Sequence, residues 1–559
     1  MKVFKKLKRP VIYFGVFGII TSSILFFSFK NQDFKIVKSL DIYFTLFKEL
    51  NLFYVDETNP EDLVETSINA MLKSLDPYTT YIPEKELDDF KFMTTGKYGG
   101  IGAVIRRKDD FTMVVEPYKG SPAQIAGLRA GDMLKKIDGK SLEDLNIEDV
   151  SKLLKGVPNT KVTIQYERPF IKEKEEVILT RKEIVVPSVP FHGMLDNKYA
   201  YIRLSSFKQN CSEDVKNAFV ELKKNSPEGL ILDLRSNPGG LMLEAVRIVN
   251  LFVEKDEKVV YTKGKLKEYD FEYFTKTNPI DTEIPIVVLV SRGSASASEI
   301  VAGSLQDLDR AVIVGRRTYG KGLVQSTRPL SYNSQLKVTT AKYYIPSGRC
   351  VQALDFSNRN EDGSVGTIPD SLISDFLTRN KRLVKDGGGV TPDFAITPDY
   401  LSKFSVILLT KDLIFDYVTK YRTEHQTIDN PMDFKFTDAD FEHFMAYAND
   451  IEFDYETDSE RELHKLEEIA KKEKYFSIAE EEFKALRKKL GRDKFKDFEI
   501  FKEEIKELIE EDIISRYYFR DGVIKRNLED DKQLLKAKEI LSDQEEIITI
   551  LKGGYQKKK

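Results

Sequence analysis

Between residues 182 and 398 the chain alternates apolar segments with amphipathic ones. KYAYIRLSSF (198–207), GLILDLR (229–235) and PIVVLVS (285–291) read as strands, the last two as buried ones. Such strands need cover on both faces, because the side chains on each side of the pleat are apolar. LMLEAVRIVNLFV (241–253) and SEIVAGSLQDL (298–308) read as the helices that supply it. Strands separated by helices in this way predict an α/β sheet, and little else could bury so many apolar side chains.

Two segments of this region carry chemistry. VLVSRGSASASEIVAGSLQD (288–307) sets a run of serines just before a helix, and VGRRTYGKGLVQ (314–325) sets Lys321 between Gly320 and Gly322. A serine hydroxyl is a weak nucleophile until a base accepts its proton. A lysine can be that base only if burial depresses its pKa from the reference of about 10.4. The flanking glycines allow a close backbone approach that could bury the ammonium. Chemistry alone does not separate Ser294, Ser296 and Ser298. Gln325, four residues after Lys321, would share its face if this stretch were helical.

Six segments in order resemble the C-terminal processing (tail-specific) serine peptidases. They are LDPYTTYIP (75–83), SPAQIAGLRAGDMLKKIDGK (121–140), LILDLRSNPGGL (230–241), SASASE (294–299), TYGKGLVQ (318–325) and YIPSGRCVQ (344–352). The resemblance spans about Leu75 to Asp393 and implies a crotonase-like peptidase core. It picks Ser296 as nucleophile, Lys321 as base and Gln325 as the group that orients the lysine. An oxyanion hole needs preorganised donors. The resemblance supports the Ala297 amide and one from Asn237-Pro238-Gly239-Gly240, leaving open whether Gly239 or Gly240 donates. Asp307 matches an acidic position and is expected to support the structure. Arg235 and Ser298 are candidates for outer positions only.

Residues 96–181 look like a PDZ domain. IGAVIRR, TMVVEPY and KVTIQYER read as strands of a small β-rich module, Ser121-Pro122 as a helix start, and Gly131-Asp132 and Asp138-Gly139 as turns. The opening Tyr98-Gly99-Gly100-Ile101-Gly102 is a candidate loop for a terminal carboxylate, whose chain would add as a strand.

The N-terminus predicts a location. MKVFKKLKRP has five basic residues, and VIYFGVFGIITSSILFFSF (Val11–Phe29) has no charge. At about 1.5 Å per residue this segment nearly crosses a hydrocarbon core of roughly 30 Å. Basic residues before it favour a cytoplasmic start, with the catalytic part periplasmic. A cleaved signal peptide is the rival, though no Ala-x-Ala-like site follows. The expected organisation is an inner-membrane anchor over 1–30, a helical region over 31–95, the PDZ domain over 96–181, the peptidase core over 182–398 and a helical region over 399–559. In the second of these, Ile36, Leu40, Tyr43, Phe44 and Phe47 form one apolar face, and the family likeness allows such helices to pair subunits in a homo-oligomer.

Other chemistries find little support. Arginine and lysine number 87 against 91 acidic residues, so charge gives no reason to expect a nucleic-acid partner. Two cysteines, Cys211 and Cys350, are not a disulfide framework and read as free thiols. Of four histidines, only His192 lies in the core region, with no acid beside it in sequence. No His-x3-His or Cys-x2-Cys spacing is present, so neither metal nor cofactor is expected. The polar stretch 355–393 is either an entry to the site or a surface excursion. The helical stripe Phe476, Ala479, Phe483, Leu486 and Leu490 reads as packing. Two functions follow. One is a membrane-anchored endopeptidase for proteins with apolar C-terminal tails. The other is a catalytically silent PDZ scaffold that presents such tails to another protease.

Overall fold

The computed structural model describes residues 33–171, 173–360, 362–397, 399–451, 455–490 and 494–553. The segment Val11–Phe29 lies outside them. Among the described residues no helix is long and apolar enough to cross a membrane.

The chain divides into two units, one ending at Tyr81 and one from Ile82 onward. In the first, a helix over 33–53 precedes the helix Pro60–Lys73. Asn59 caps the second helix, its Oδ1 accepting the Glu61 amide at 3.0 Å. Asp76 then stops the chain in a turn, accepting the amides of Tyr78 and Thr79 at 2.8 Å. The predicted apolar face of the first helix is uncovered in the monomer: Ile36, Leu40 and Phe44 are all more than half exposed.

The second unit holds the remaining parts. The PDZ sheet has the order Ala103–Lys108, Phe111–Pro117, Met133–Ile137, Lys161–Arg168, Glu173–Thr180, all antiparallel, with Ala103–Lys108 at its edge. Helix Ile147–Leu154 starts at Asn146, whose Oδ1 takes the Asp149 amide, and buries Val150 and Leu154 against Val114, Leu134 and Val162.

The core is a six-stranded sheet: Phe191–Leu195, Tyr199–Arg203, Gly229–Asp233, Ile286–Val290, Val312–Gly315, Phe394–Ala395. Only its first pairing is antiparallel. The predicted two-sided burial is visible in the alternation. Leu230, Leu232, Ile286, Val288 and Ile313 pack on one face with residues of the helices Cys211–Lys223, Met242–Asn250 and Ala297–Asp307. Ile231, Val287, Leu289, Val312 and Val314 pack on the other with Leu534, Ala537, Ile540, Leu541 and Ile547. Those last residues belong to Lys532–Ser542 and Gln544–Leu551. The second cover of the sheet therefore comes from the end of the chain, well past residue 398.

A second antiparallel sheet joins Leu323–Pro329, Gln335–Tyr344, Lys258–Gly264 and Glu272–Phe274. The stretch 355–393 folds into short hairpins, Leu354–Arg359 with Val365–Thr367 and Asp375–Leu377 with Leu383–Lys385. Beyond it, the helices Lys403–Thr410, Leu413–Glu424, Asp438–Asn449 and Lys502–Asn527 enclose a separate aromatic core around Phe404, Phe441, Phe444 and Phe498. Of the predicted stripe, Phe483, Leu486 and Leu490 lie on the helix Glu480–Leu490; Phe476 precedes it and stacks on Phe483.

Candidate active site

The strand Ile286–Val290 runs into a tight turn that delivers Ser296 to the start of the helix Ala297–Asp307. Ser296 has φ 56° and ψ −113°, a sparsely allowed conformation for a residue with a side chain. Holding such a residue costs of order 1–3 kcal/mol, so the surroundings must enforce it. They do so from both sides. The Ser296 amide donates to Glu299 Oε2 at 2.8 Å, and the Tyr343 hydroxyl donates to the Ser296 carbonyl at 3.2 Å.

The neighbouring serines are committed elsewhere. Ser294 Oγ donates to the Leu234 carbonyl at 2.7 Å and accepts the Ser291 amide at 2.9 Å. Ser298 Oγ donates to the Asn237 carbonyl at 2.9 Å. Both are fully buried, whereas Ser296 is half-buried. Geometry thus separates three hydroxyls that sequence chemistry left equivalent.

The Asn237–Gly240 loop packs directly on this turn. Asn237 accepts the Ala295 amide at its carbonyl and the Gly239 amide at Oδ1, 2.9 Å away. A Cβ at Gly239, which has φ 93°, would lie 2.8 Å from both the Ser296 Cβ and the Ala297 nitrogen. Only glycine fits there. The Gly239 amide is therefore occupied within its own loop. The amides of Gly240 and Ala297 donate to no acceptor among the described residues.

Glu299 organises the site, and the sequence reading assigned it no role. It is fully buried and takes four hydrogen bonds. Thr318 Oγ1 (2.6 Å) and the Gly320 amide (2.7 Å) donate to Oε1; the Ser296 and Lys321 amides (both 2.8 Å) donate to Oε2. Burial pushes its pKa up, and these donors pull it back. One oxygen atom thus lies within a single hydrogen bond of both Ser296 and Lys321. The signal for this was present in the sequence: Ser296-x-x-Glu299 is a capping-box pattern, and Glu299 is the one charged residue within an apolar first turn.

The lysine turn is as crowded as its glycines predicted. A Cβ at Gly320 would lie 2.4 Å from the Ala353 side chain, and one at Gly322 would lie 2.8 Å from the Gln352 amide. The end of the 355–393 excursion braces the turn, with the Val390 amide donating to Thr318 Oγ1 at 2.6 Å. Gln325 departs from expectation. It lies on the strand Leu323–Pro329, at an irregularity in its pairing, and its side-chain amide donates to Thr339 Oγ1 at 3.2 Å. Lys321 and Gln325 therefore do not share a helical face, because the turn feeds a hairpin.

Asp307 ends the Ser296 helix and is wholly buried against Arg349, 2.8 Å away, while accepting the Ser347 amide. Burial raises its pKa against the pull of Arg349. Arg235 binds the buried Asp233 and also Asp531, the cap of helix Lys532–Ser542. It so ties the glycine loop to the C-terminal helices. His192, expected to have no acid beside it, lies 3.2 Å from Glu221 across the sheet edge, a helix residue distant in sequence. That pair belongs to the exposed surface. Cys211 and Cys350 are free thiols, and no group of residues suited to a metal occurs among the described residues.

In the PDZ domain, Tyr98–Gly100 are strand residues paired with Lys182–Val185, which corrects the reading of Tyr98–Gly102 as one loop. Ile101 and Gly102 form the turn itself. Their carbonyls accept the Ala123 and Tyr118 amides, and their own amides donate to no described acceptor.

A PDZ domain, an α/β core and a serine held in a strained turn over a glycine loop define a serine peptidase. Residues 198–358 match peptidase family S41, 113–168 a PDZ domain, and 404–541 the C-terminal helical domain of probable PDZ-proteases. The carboxy-terminal-processing protease of Bartonella bacilliformis is 34% identical over 372 residues, covering 65% of this chain and 82% of that protein. A probable CtpA-like serine protease of Staphylococcus aureus is 37% identical over 311 residues, covering 55% of this chain and 61% of that protein, so the chain spans about three fifths of that relative's length. Among solved structures, a photosystem II D1 C-terminal processing protease aligns at 28% identity with a TM-score of 0.35, covering 64% of this chain and 93% of that one. The chain belongs to the carboxy-terminal-processing serine proteases of peptidase family S41.

Glu299 yields a direct test. In Glu299→Gln the NH2 group cannot accept, so two of the four amide and hydroxyl donors lose their partner. We expect kcat to fall roughly a hundredfold, as small misplacements of reacting groups do, with the affinity for a substrate tail unchanged. A variant with wild-type kcat would refute the positioning role.

Proposed function

We propose that the protein is a membrane-anchored serine endopeptidase that acts outside the cytoplasm on proteins selected by their C-terminal tails. Ser296 attacks the peptide carbonyl. Lys321 accepts the hydroxyl proton and returns it to the leaving amine. The Ala297 amide and one amide of the glycine loop, for which Gly240 is the better candidate, stabilise the oxyanion. Gln325 and Asp307 support this set. The observation that carries the reading is the single Glu299 oxygen that holds the backbones of both Ser296 and Lys321. The test is incubation of the chain from Asn31 onward with tailed model substrates, beside Ser296→Ala. With the serine, lysine and glycine loop all present, no observation favours the silent scaffold.

The tail would add to the open edge of Ala103–Lys108. Its terminal carboxylate would meet the amides of Ile101 and Gly102. Substrates ending in small or apolar residues should be cut faster than those with charged ends, and amidating the tail should weaken binding sharply. Equal rates for free-acid, amidated and charged tails at subsaturating substrate would eliminate tail reading even if the serine chemistry survived.

The anchor rests on the uncharged Val11–Phe29 segment behind its basic leader. A periplasm-dependent reporter fused after Phe29 should be active. Activity of a cytoplasm-dependent reporter alone would overturn the location.

A further inference from the structure

The junction between the PDZ domain and the C-terminal helices encloses a cleft of about 510 Å³, remote in sequence from every residue of the catalytic turn. Its lining includes Arg129 from the PDZ side and Arg422 and Arg516 from the helical side. The charges are poorly balanced. Asp132, the acid nearest Arg129 in sequence, is engaged by Arg168 through two hydrogen bonds of 2.8 and 2.9 Å. Among the described residues neither Arg129 nor Arg422 has a carboxylate within ion-pair distance. Arg422 stacks over the Tyr517 ring at 4.3 Å and donates to the His425 carbonyl. Burial, and then the charges of Arg168 and Arg422, push the Arg129 pKa down, while Asp132 pulls it up. Glu116 also lines the cleft, with the arginines 516 and 520 as its charged neighbours.

Arg516 adds a fixed positive charge to the cleft wall. Its side chain is 5% exposed and is held by both oxygens of Asp512. Its Nη1 atom is sealed within the wall and has no hydrogen-bond partner among the described residues. Guanidinium groups presented from two sides suit an anion with several oxygens, to which each can donate in fork geometry.

We propose that this cleft binds a multivalent oxyanion, phosphoryl or polycarboxylate, whose oxygens bridge Arg129 and Arg422, with the fixed charge of Arg516 in the cleft wall adding to the attraction. Such a ligand would add a further tie across a junction already spanned by the ion pairs of Arg106 with Asp412, Lys108 with Asp416 and Lys119 with Asp521, independently of the peptidase chemistry.

The test uses the full chain in detergent at low salt, titrated calorimetrically with inorganic pyrophosphate and, in a second arm, with citrate. We expect saturable binding of at least one anion, and a melting temperature that rises with it. Arg129→Gln and Arg422→Gln should each weaken binding about tenfold or more. The double variant should lose both effects while keeping the wild-type peptidase rate, which verifies its fold. Binding of pyrophosphate alone assigns a phosphoryl ligand, and of citrate alone a carboxylate ligand. No binding of either anion up to about 10 mM, or equal affinity in wild type and double variant, would overturn the proposal.

Discussion

Ser296→Ala should abolish peptide-bond hydrolysis while leaving the fold and tail binding intact. Three hydroxyls lie within five residues, but two are committed to the carbonyls of Leu234 and Asn237. Ser296 is the one at the helix start, with φ 56° and a half-buried position beside the Gly239 loop. Its backbone is held by Glu299 and Tyr343. Removing the nucleophile should cost about a thousandfold or more in kcat, with little change in melting temperature. Ser294→Ala and Ser298→Ala should show the reverse pattern. Each removes one hydrogen bond to a buried carbonyl that keeps an amide donor, a loss of roughly 0.5–1.5 kcal/mol of stability, yet each should retain measurable activity. Full activity in Ser296→Ala would sink the assignment.

Lys321→Ala should lose nearly all activity, again by about a thousandfold or more, and Lys321→Arg should not restore it. Arginine keeps its proton at any workable pH and cannot accept another from serine. Its larger head must also enter a turn where Gly320 and Gly322 already touch Ala353 and Gln352. A wild-type rate in the arginine variant would refute lysine as the base. Loss of activity on changing His192, with the fold intact, would point back to a histidine; its partner Glu221 lies on the surface at the edge of the sheet.

Much of this was legible because it is local. The strands GLILDLR and PIVVLVS are buried on both faces, and their composition says so before any fold is known. Gly239, Gly320 and Gly322 announce close backbone approach, and in each case a Cβ would lie under 3 Å from a neighbour. The PDZ strands and the Asp76 turn follow from alternation and turn chemistry in the same way. The four-residue spacing of Lys321 and Gln325 fits a helix, but the turn instead opens into the strand Leu323–Pro329, where Gln325 pairs with Thr339, and spacing alone does not say which. Glu299 was visible as a capping residue. That it also captures the Lys321 turn depends on a contact spanning 22 residues.

By itself, the sequence determined the α/β class, the PDZ module and the segments that hold the candidate serine and lysine, since each is written in contiguous residues. Tertiary structure alone decided that the hydroxyls of Ser294 and Ser298 are committed to buried carbonyls, that one buried carboxylate joins the backbones of Ser296 and Lys321, and that the helices Lys532–Ser542 and Gln544–Leu551 close the second face of the central sheet. An apolar sheet face requires cover but does not name it. Leu534, Ile540 and Leu541 lie more than 200 residues from the strands they bury, and only the folded chain brings those two apolar surfaces out of water together.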